Sequence, residues 1–263
     1  MSERRLGAAM DLRFDEAVEE FADYITVLGL DHIELKREYL ESRRRVPTAD
    51  EIAGVAESYD VSLSFHAPFR DWNMGSFNDE ARKEGARRVK KTLDEAAEVG
   101  AGAVVVHGGS VPRRYPDDVQ EIAKENARES LRECAEHAAE VGVPLCLENQ
   151  PRSDEKVRHT TTPDDLAGIV ESVDSVVEDN EMLKLTLDVG HARVNGFDWR
   201  DFAEEFGDRI HVLHLHDNDG DEDDHMPISE YDEVVERVGA EFNVFEMKEV
   251  DDIARCVGKV EAR

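Results

Sequence analysis

No run of about 18 uncharged apolar residues occurs anywhere in the 263-residue chain, so no segment reads as a transmembrane helix. The N-terminal Met1-Ser2-Glu3-Arg4-Arg5 is basic, but Asp11, Arg13 and Asp15 interrupt the next stretch, and no secretion signal is expected. Cysteine is scarce. Cys134, Cys146 and Cys256 are odd in number and far apart, which argues against a disulfide framework or a zinc ribbon and for reduced thiols in a cytoplasmic protein. Basic residues are few as well: 32 Lys and Arg stand against 62 Asp and Glu, a formal charge of -30. Low-complexity tracts, linkers and repeats are missing, and the chain reads as one domain over residues 1–263.

The acid excess spreads over nearly every expected helix face, and Arg outnumbers Lys by 23 to 9. Such a surface resembles that of halophilic proteins, where dense carboxylates hold water and counterions. Concentrated salt shortens the screening length to ~3 Å or less, and the self-repulsion largely disappears. A uniformly acidic surface of that kind does not exclude a nucleic-acid partner.

Short apolar runs alternate with amphipathic stretches throughout. The expected strands are 6–9, 32–35, 61–65, 103–106, 143–147, 183–187, 210–215 and 243–245, and the expected helices are 14–28, 48–59, 78–99, 117–141, 162–177, 198–206, 229–238 and 250–257. Thr48, Pro116 and Thr162 stand before acidic first turns, and Gly29, Gly100, Gly142 and Gly207 sit where helices should stop. Eight β-then-α units in this length predict an α/β (β/α)8 TIM barrel. A doubly wound open sheet is the competing architecture, but it wants a Gly-rich phosphate turn after an early strand, and none is present.

Barrel enzymes place their chemistry at the C-terminal strand ends. Here those ends fall near Glu34, His66, His107, Glu148, Asp188, His214 and Glu246. All but Glu34 are ordinary metal ligands, and mixed nitrogen and oxygen donors suit zinc, manganese, iron or cobalt better than calcium or magnesium. Two local clusters extend the ring, Asp188-Val189-Gly190-His191 and His214-Leu215-His216-Asp217-Asn218 followed by Asp223-Asp224-His225. Acidic matches come cheaply in so acidic a chain, and strand-end carboxylates are often plain helix caps. Histidine is rarer: of ten, His66, His107, His191, His214, His216 and His225 lie at or just after strand ends, whereas His32, His137, His159 and His211 take structural roles.

Phe65-His66-Ala67-Pro68-Phe69, Val106-His107-Gly108-Gly109, Leu147-Glu148-Asn149, Leu187-Asp188-Val189-Gly190-His191, His214-Leu215-His216-Asp217-Asn218 and Asp223-Asp224-His225 resemble, in order and spacing, the xylose isomerase-like TIM barrel superfamily. It includes sugar and sugar-phosphate isomerases and epimerases, and the endonuclease IV family. The isomerase resemblance implies one divalent ion (Mn2+, Zn2+ or Co2+) on Glu148, Asp188, His214 and Glu246. Glu148 and Glu246 would double as catalytic proton-transfer groups around a metal-stabilised enediolate. The nuclease resemblance implies three Zn2+, with His66, His107, His191, Asp223 and His225 as additional ligands, and DNA as partner. Under the isomerase reading these five contact extra metal or substrate, and Trp72, His216 and Lys248 bind a sugar or sugar phosphate. Arg70, Arg113, Arg114, Arg152, Arg158, Arg193 and Lys248 offer positive charge near the mouth for a phosphate. The segment 70–74 is read as a pocket wall in preference to a DNA wedge. One departure stands out: where the nuclease pattern continues with Gly-Glu-Gly after the Asp-x-His pair, this chain has Pro227-Ile228-Ser229-Glu230-Tyr231. The expected activity is a metal-dependent isomerase or epimerase; the alternative is a zinc-dependent abasic-site endonuclease, and a binding protein that lost turnover is a third reading.

Overall fold

The computed structural model describes residues 4–175 and 181–259. Its strands are β1 (Arg5–Met10), β2 (His32–Lys36), β3 (Ser62–His66), β4 (Val104–His107), β5 (Ser110–Pro112), β6 (Leu145–Glu148), β7 (Lys156–Arg158), β8 (Leu183–Asp188), β9 (Ile210–Leu215) and β10 (Phe242–Phe245). Eight of them close a parallel barrel in the order β1-β10-β9-β8-β6-β4-β3-β2, while β5 and β7 pair antiparallel apart from it. The helices are α1 (Val18–Val27), α2 (Arg37–Ser42), α3 (Ala49–Tyr59), α4 (Asp79–Val99), α5 (Asp117–Val141), α6 (Pro163–Asp174), α7 (Val189–Val194), α8 (Trp199–Phe206), α9 (Tyr231–Val238) and α10 (Val250–Cys256). The expected (β/α)8 architecture is therefore present. Among the described residues no helix is long and apolar enough to cross a membrane, and all three cysteines are free and buried.

Local chemistry explains the boundaries. Thr48 and Glu51 cap α3 reciprocally: Glu51 N donates to Thr48 Oγ1 at 3.3 Å and Thr48 N to Glu51 Oε2 at 2.9 Å. Asn78 caps α4 and Thr162 caps α6, with Pro163 in its first turn. Two expectations are corrected. Helix α1 begins at Val18, not Phe14, because Asp11 captures the amides of Arg13 (3.0 Å) and Phe14 (3.1 Å) in a turn. The short helices α2 and α7 and the β5–β7 pair lie outside the expected elements, since each is too short to show a periodicity. The end of the expected 162–177 helix lies partly outside the described residues, α6 ending at Asp174.

Side chains alternate between the barrel interior and the helix layer. The interior positions carry Ala9, Val105, Cys146, Val212, Phe242 and Val244, which pack into a small apolar cluster. One step further along each strand lie Lys36, His66, His107, Glu148, Asp188, His214 and Glu246. Register levels them: Lys36 stands beside His66, His107 beside Glu148, and Asp188 beside His214. Strand β2 runs past the expected end, so Lys36 occupies the top layer and Glu34 the layer beneath.

Candidate metal centre

Glu148, almost wholly buried, is the meeting point. Its Oε2 lies 3.2 Å from His66 Nε2 and 2.8 Å from His107 Nε2, and its Oε1 lies 3.3 Å from His214 Nδ1 and 3.4 Å from His191 Nδ1. Three groups of side chains present donor atoms within 4.8 Å of one another: His66, His107 and Glu148; Glu148, Asp188, His214 and Glu246; and His191, His216, Asp223 and His225. The structure thus brings every ligand candidate to one mouth. His216, expected on the substrate, lies in the third group. Its Nε2 is 3.0 Å from Asp188, and its ring is sandwiched between His225, with centroids 4.0 Å apart, and the bare Cα of Gly190.

The donor set fits bound cations. A backbone carbonyl only accepts, so Nδ1 of His66, of His191 and of His225 must donate to the carbonyls of Ala67 (2.8 Å), Asn149 (2.8 Å) and Glu246 (2.6 Å). In the neutral ring, the opposite nitrogen of each then carries a lone pair. For His66 that lone pair faces Glu148, and for His191 and His225 it faces Asp223, at 3.4 and 3.2 Å. His214 repeats the device: Nε2 meets Glu34 at 3.1 Å, and Nδ1 faces Glu148, Glu246 (3.6 Å) and Asp188 (3.8 Å). A lone pair turned on a carboxylate needs a cation between them, and the far hydrogen bond is the usual outer support of a metal-ligating imidazole. Asp223 Oδ1, Glu34 Oε1 and His216 Nδ1 are buried with no hydrogen-bond partner among the described residues.

Protonation tells the same story in the metal-free chain. Burial alone would lower His191, but Asp188, Asp223 and Glu148 outweigh it and raise it to about 10. Burial likewise opposes charge on His214, yet Glu34, Glu246 and Glu148 hold it well above its ordinary value. Burial would raise Glu148, and the surrounding imidazoles, His107 foremost, instead hold it well below the carboxylate range. His107 goes down, because burial prevails over Glu148. Protons occupy the places that cations would take.

Residues outside the expected set complete the floor. Lys36 is buried and in close contact with Glu246 Oε1, with Asp11 at 3.7 Å; burial would raise Glu246, but Lys36 first and His214 second hold it ionised. Asn149 ties β6 to β8, donating to the Asp188 carbonyl (2.9 Å) and accepting from the Asp188 amide (2.7 Å). The period-two alternation from His32 through Glu34 would have found Lys36; nothing local marks Asn149 beyond its motif. His225 adopts a left-handed φ of 55°, a conformation that costs a β-carbon-bearing residue about 1 kcal/mol and turns the ring back toward the centre. Of the remaining substrate candidates, Trp72 lies under the Arg88 guanidinium at 4.1 Å and borders a cavity with His107, whereas Lys248 Nζ donates to the Asp223 carbonyl at 2.5 Å.

The comparisons agree with this architecture. A family model described as xylose isomerase-like TIM barrel matches residues 22–241. An uncharacterized protein of Methanocaldococcus jannaschii is 33% identical over 176 residues, which cover 66% of this chain and 57% of that relative's length. A Mycobacterium leprae protein named Probable endonuclease 4 is 32% identical over 110 residues, 42% of this chain and 40% of its own. Among solved structures, a D-tagatose 3-epimerase-like protein superposes with a TM-score of 0.80 at 24% identity, covering 96% of this chain and 94% of that one; a likeness at that identity speaks for the fold. With most of its length matched and its barrel closed in this order, the chain belongs to the xylose isomerase-like TIM barrel family.

Proposed function

We propose that the protein is a metal-dependent isomerase or epimerase of a small sugar or sugar phosphate. The observation that carries this reading is a cavity of about 320 Å3 beside the metal centre, bordered by His107, Trp72, Phe69 and Arg158. That is the low end of small-molecule sites, about 300–1,000 Å3, and it is walled on one side by a Trp72 packed under Arg88. Glu148, Asp188, His214 and Glu246 would hold the principal ion, which supplies positive charge that acidifies a C–H next to a carbonyl. Glu148 and Glu246 both reach Nδ1 of His214, at 3.3 and 3.6 Å, and both are held ionised despite burial. A carboxylate in that state accepts a proton without first losing one, and Lys36 keeps Glu246 aimed while it does so. Transfer to the same carbon from the other face gives an epimer; transfer to the neighbouring carbon gives an isomer.

One observation favours a second reading. Three ligand groups gather at the mouth, two of them sharing Glu148, as many as a three-ion abasic-site endonuclease requires. The two readings separate in molar potassium chloride with the metal-loaded protein. Deuterium washing from heavy water into a ketose or ketose phosphate, lost in Glu246→Gln, supports the isomerase. Nicking of abasic DNA with three zinc ions per chain and no deuterium uptake into any sugar refutes it in favour of the nuclease.

A further inference from the structure

Of the seven cations that the sequence offers near the mouth, the structure commits five to hydrogen bonds or ion pairs within the protein. Arg70 pairs with Glu38 at 3.3 Å, and Arg193 pairs with Asp217. Arg113 donates to the Ser153 (2.7 Å) and Lys156 (3.1 Å) carbonyls, and Arg152 to those of Gly220 (3.3 Å) and Asp221 (3.4 Å). Arg114 lies over the Tyr115 ring, and Lys248 is spent on the Asp223 carbonyl. Arg114 is exposed, so Arg158 is the cation with burial but no partner: among the described residues its guanidinium has neither a hydrogen bond nor an ion pair. In a chain with almost twice as many acids as bases, an unpaired guanidinium is unexpected, and this one is half-buried rather than free in solvent.

Its placement is built. Arg158 ends β7 and pairs in register with Ser110 of β5, three residues beyond His107. Asn73 clamps the facing loop to that strand, donating to the Ser110 carbonyl at 2.7 Å and accepting its amide at 3.1 Å. Beside them lies the 320 Å3 cavity, bordered by Arg158, Lys156, Trp72, Phe69 and His107. Burial weakens the hold of Arg158 on its proton, and the charges of Asp223 and Glu148 offset part of that loss. The cavity therefore joins an uncommitted planar cation to the metal centre.

We infer that Arg158 is the specificity-determining residue for a phosphate monoester, so that the substrate is a phosphorylated sugar lying with its phosphate on Arg158 and Lys156 and its carbonyl end toward His107 and Glu148. A guanidinium binds phosphate through two parallel N–H donors, and Lys156 at the rim supplies the second charge that a dianion wants. A cavity of about 320 Å3 has room for a monoester at the end of a small molecule. This inference rests on the isomerase or epimerase reading.

The test uses the metal-loaded full-length protein in molar potassium chloride. Deuterium exchange into ketose phosphates and into the unphosphorylated ketoses is compared for wild type, Arg158→Gln and Arg158→Lys, and binding of inorganic phosphate is measured by calorimetry. Loss of a charge-assisted contact predicts that Arg158→Gln lowers the ratio of kcat/KM for phosphorylated over unphosphorylated sugar about 10- to 100-fold and weakens inorganic phosphate by a similar factor, with partial recovery in Arg158→Lys. A ratio near one in wild type, or an equal loss for both sugars in Arg158→Gln, overturns the inference while leaving the isomerase reading in place. Loss of abasic-DNA nicking in Arg158→Gln also overturns it, because the phosphate then belongs to a polynucleotide. If no sugar exchanges deuterium but inorganic phosphate still depends on Arg158, the isomerase reading falls and the anion subsite stands.

Discussion

Replacing Lys36 with methionine removes the one buried cation that faces both Glu246 and Asp11. All three side chains are less than 10% exposed, and the ammonium is in close contact with Glu246 and 3.7 Å from Asp11. Breaking a buried pair from one side costs about 3–5 kcal/mol, because the remaining charge is left without water or partner. Here Glu246 loses its nearest cation and keeps His214 at 3.6 Å, while Asp11 keeps the Arg13 guanidinium at 2.9 Å. With a urea slope of about 3 kcal/mol/M, the unfolding midpoint of the chelated protein should fall by roughly 1–1.7 M. A divalent ion would share Glu246 and restore part of the balance, so the deficit should shrink when metal is loaded. The assay is urea unfolding in molar potassium chloride, with and without chelator. Adding Glu246→Gln to Lys36→Met removes one orphaned charge and should regain stability over Lys36→Met alone. A loss under about 1 kcal/mol, or no recovery in the double variant, would refute the account of Lys36 as the counter-charge of Glu246.

Four other substitutions have expected outcomes. Glu34→Gln should weaken zinc or manganese about 10- to 100-fold by loosening the His214 ring, read by chelator competition; unchanged affinity would remove Glu34 from that role. His32, buried between Ser62 and Ser64, and His159 are both lowered by burial to about 4. The unfolded chain therefore takes up protons that the folded one refuses, and stability present above pH 6.5 is lost as the pH falls toward 4, by up to about 3 kcal/mol for each. Urea midpoints between pH 7 and 4.5 should fall less steeply in His32→Gln, and an identical slope would contradict the assignment. Gly190→Ala would set a Cβ 2.0 Å from His216 Cε1, an overpacking that costs about 1–3 kcal/mol and should weaken metal binding. Gly168→Ala, inside α6 with open space around it, should instead stabilise by about 0.5–1 kcal/mol; thermal unfolding compares the two.

The barrel is legible in the sequence because every strand pattern recurs with an amphipathic stretch behind it, and a period repeated eight times outweighs an error at any one boundary. The ring of His66, His107, Glu148, Asp188, His214 and Glu246 is legible for a related reason: a barrel puts all its strand ends at one mouth. Lys36 escapes the pattern because a lysine after an apolar run looks like a solvated loop, which ends β2 one residue early at Leu35. The place of His216 in the third group is not legible in the sequence, because it depends on Gly190 making room for the ring and on His225 turning back through a left-handed backbone. The β5–β7 pair has no signal at all, since Ser110–Pro112 and Lys156–Arg158 are too short to show a period and meet only once the barrel is closed.

The chain's linear order by itself determined the architecture, the family and the identity of the side chains that gather at the mouth. These depend on local periodicity and on which residue types occur, both of which are properties of short windows. Tertiary structure decided which side chains share an oxygen of Glu148, which nitrogen of each imidazole remains a lone pair, and which cation is left unspent. Those are relations between residues as far apart as Lys36 and Glu246, and only closure of the barrel sets the distances and burial that turn such neighbours into counter-charges or ligands.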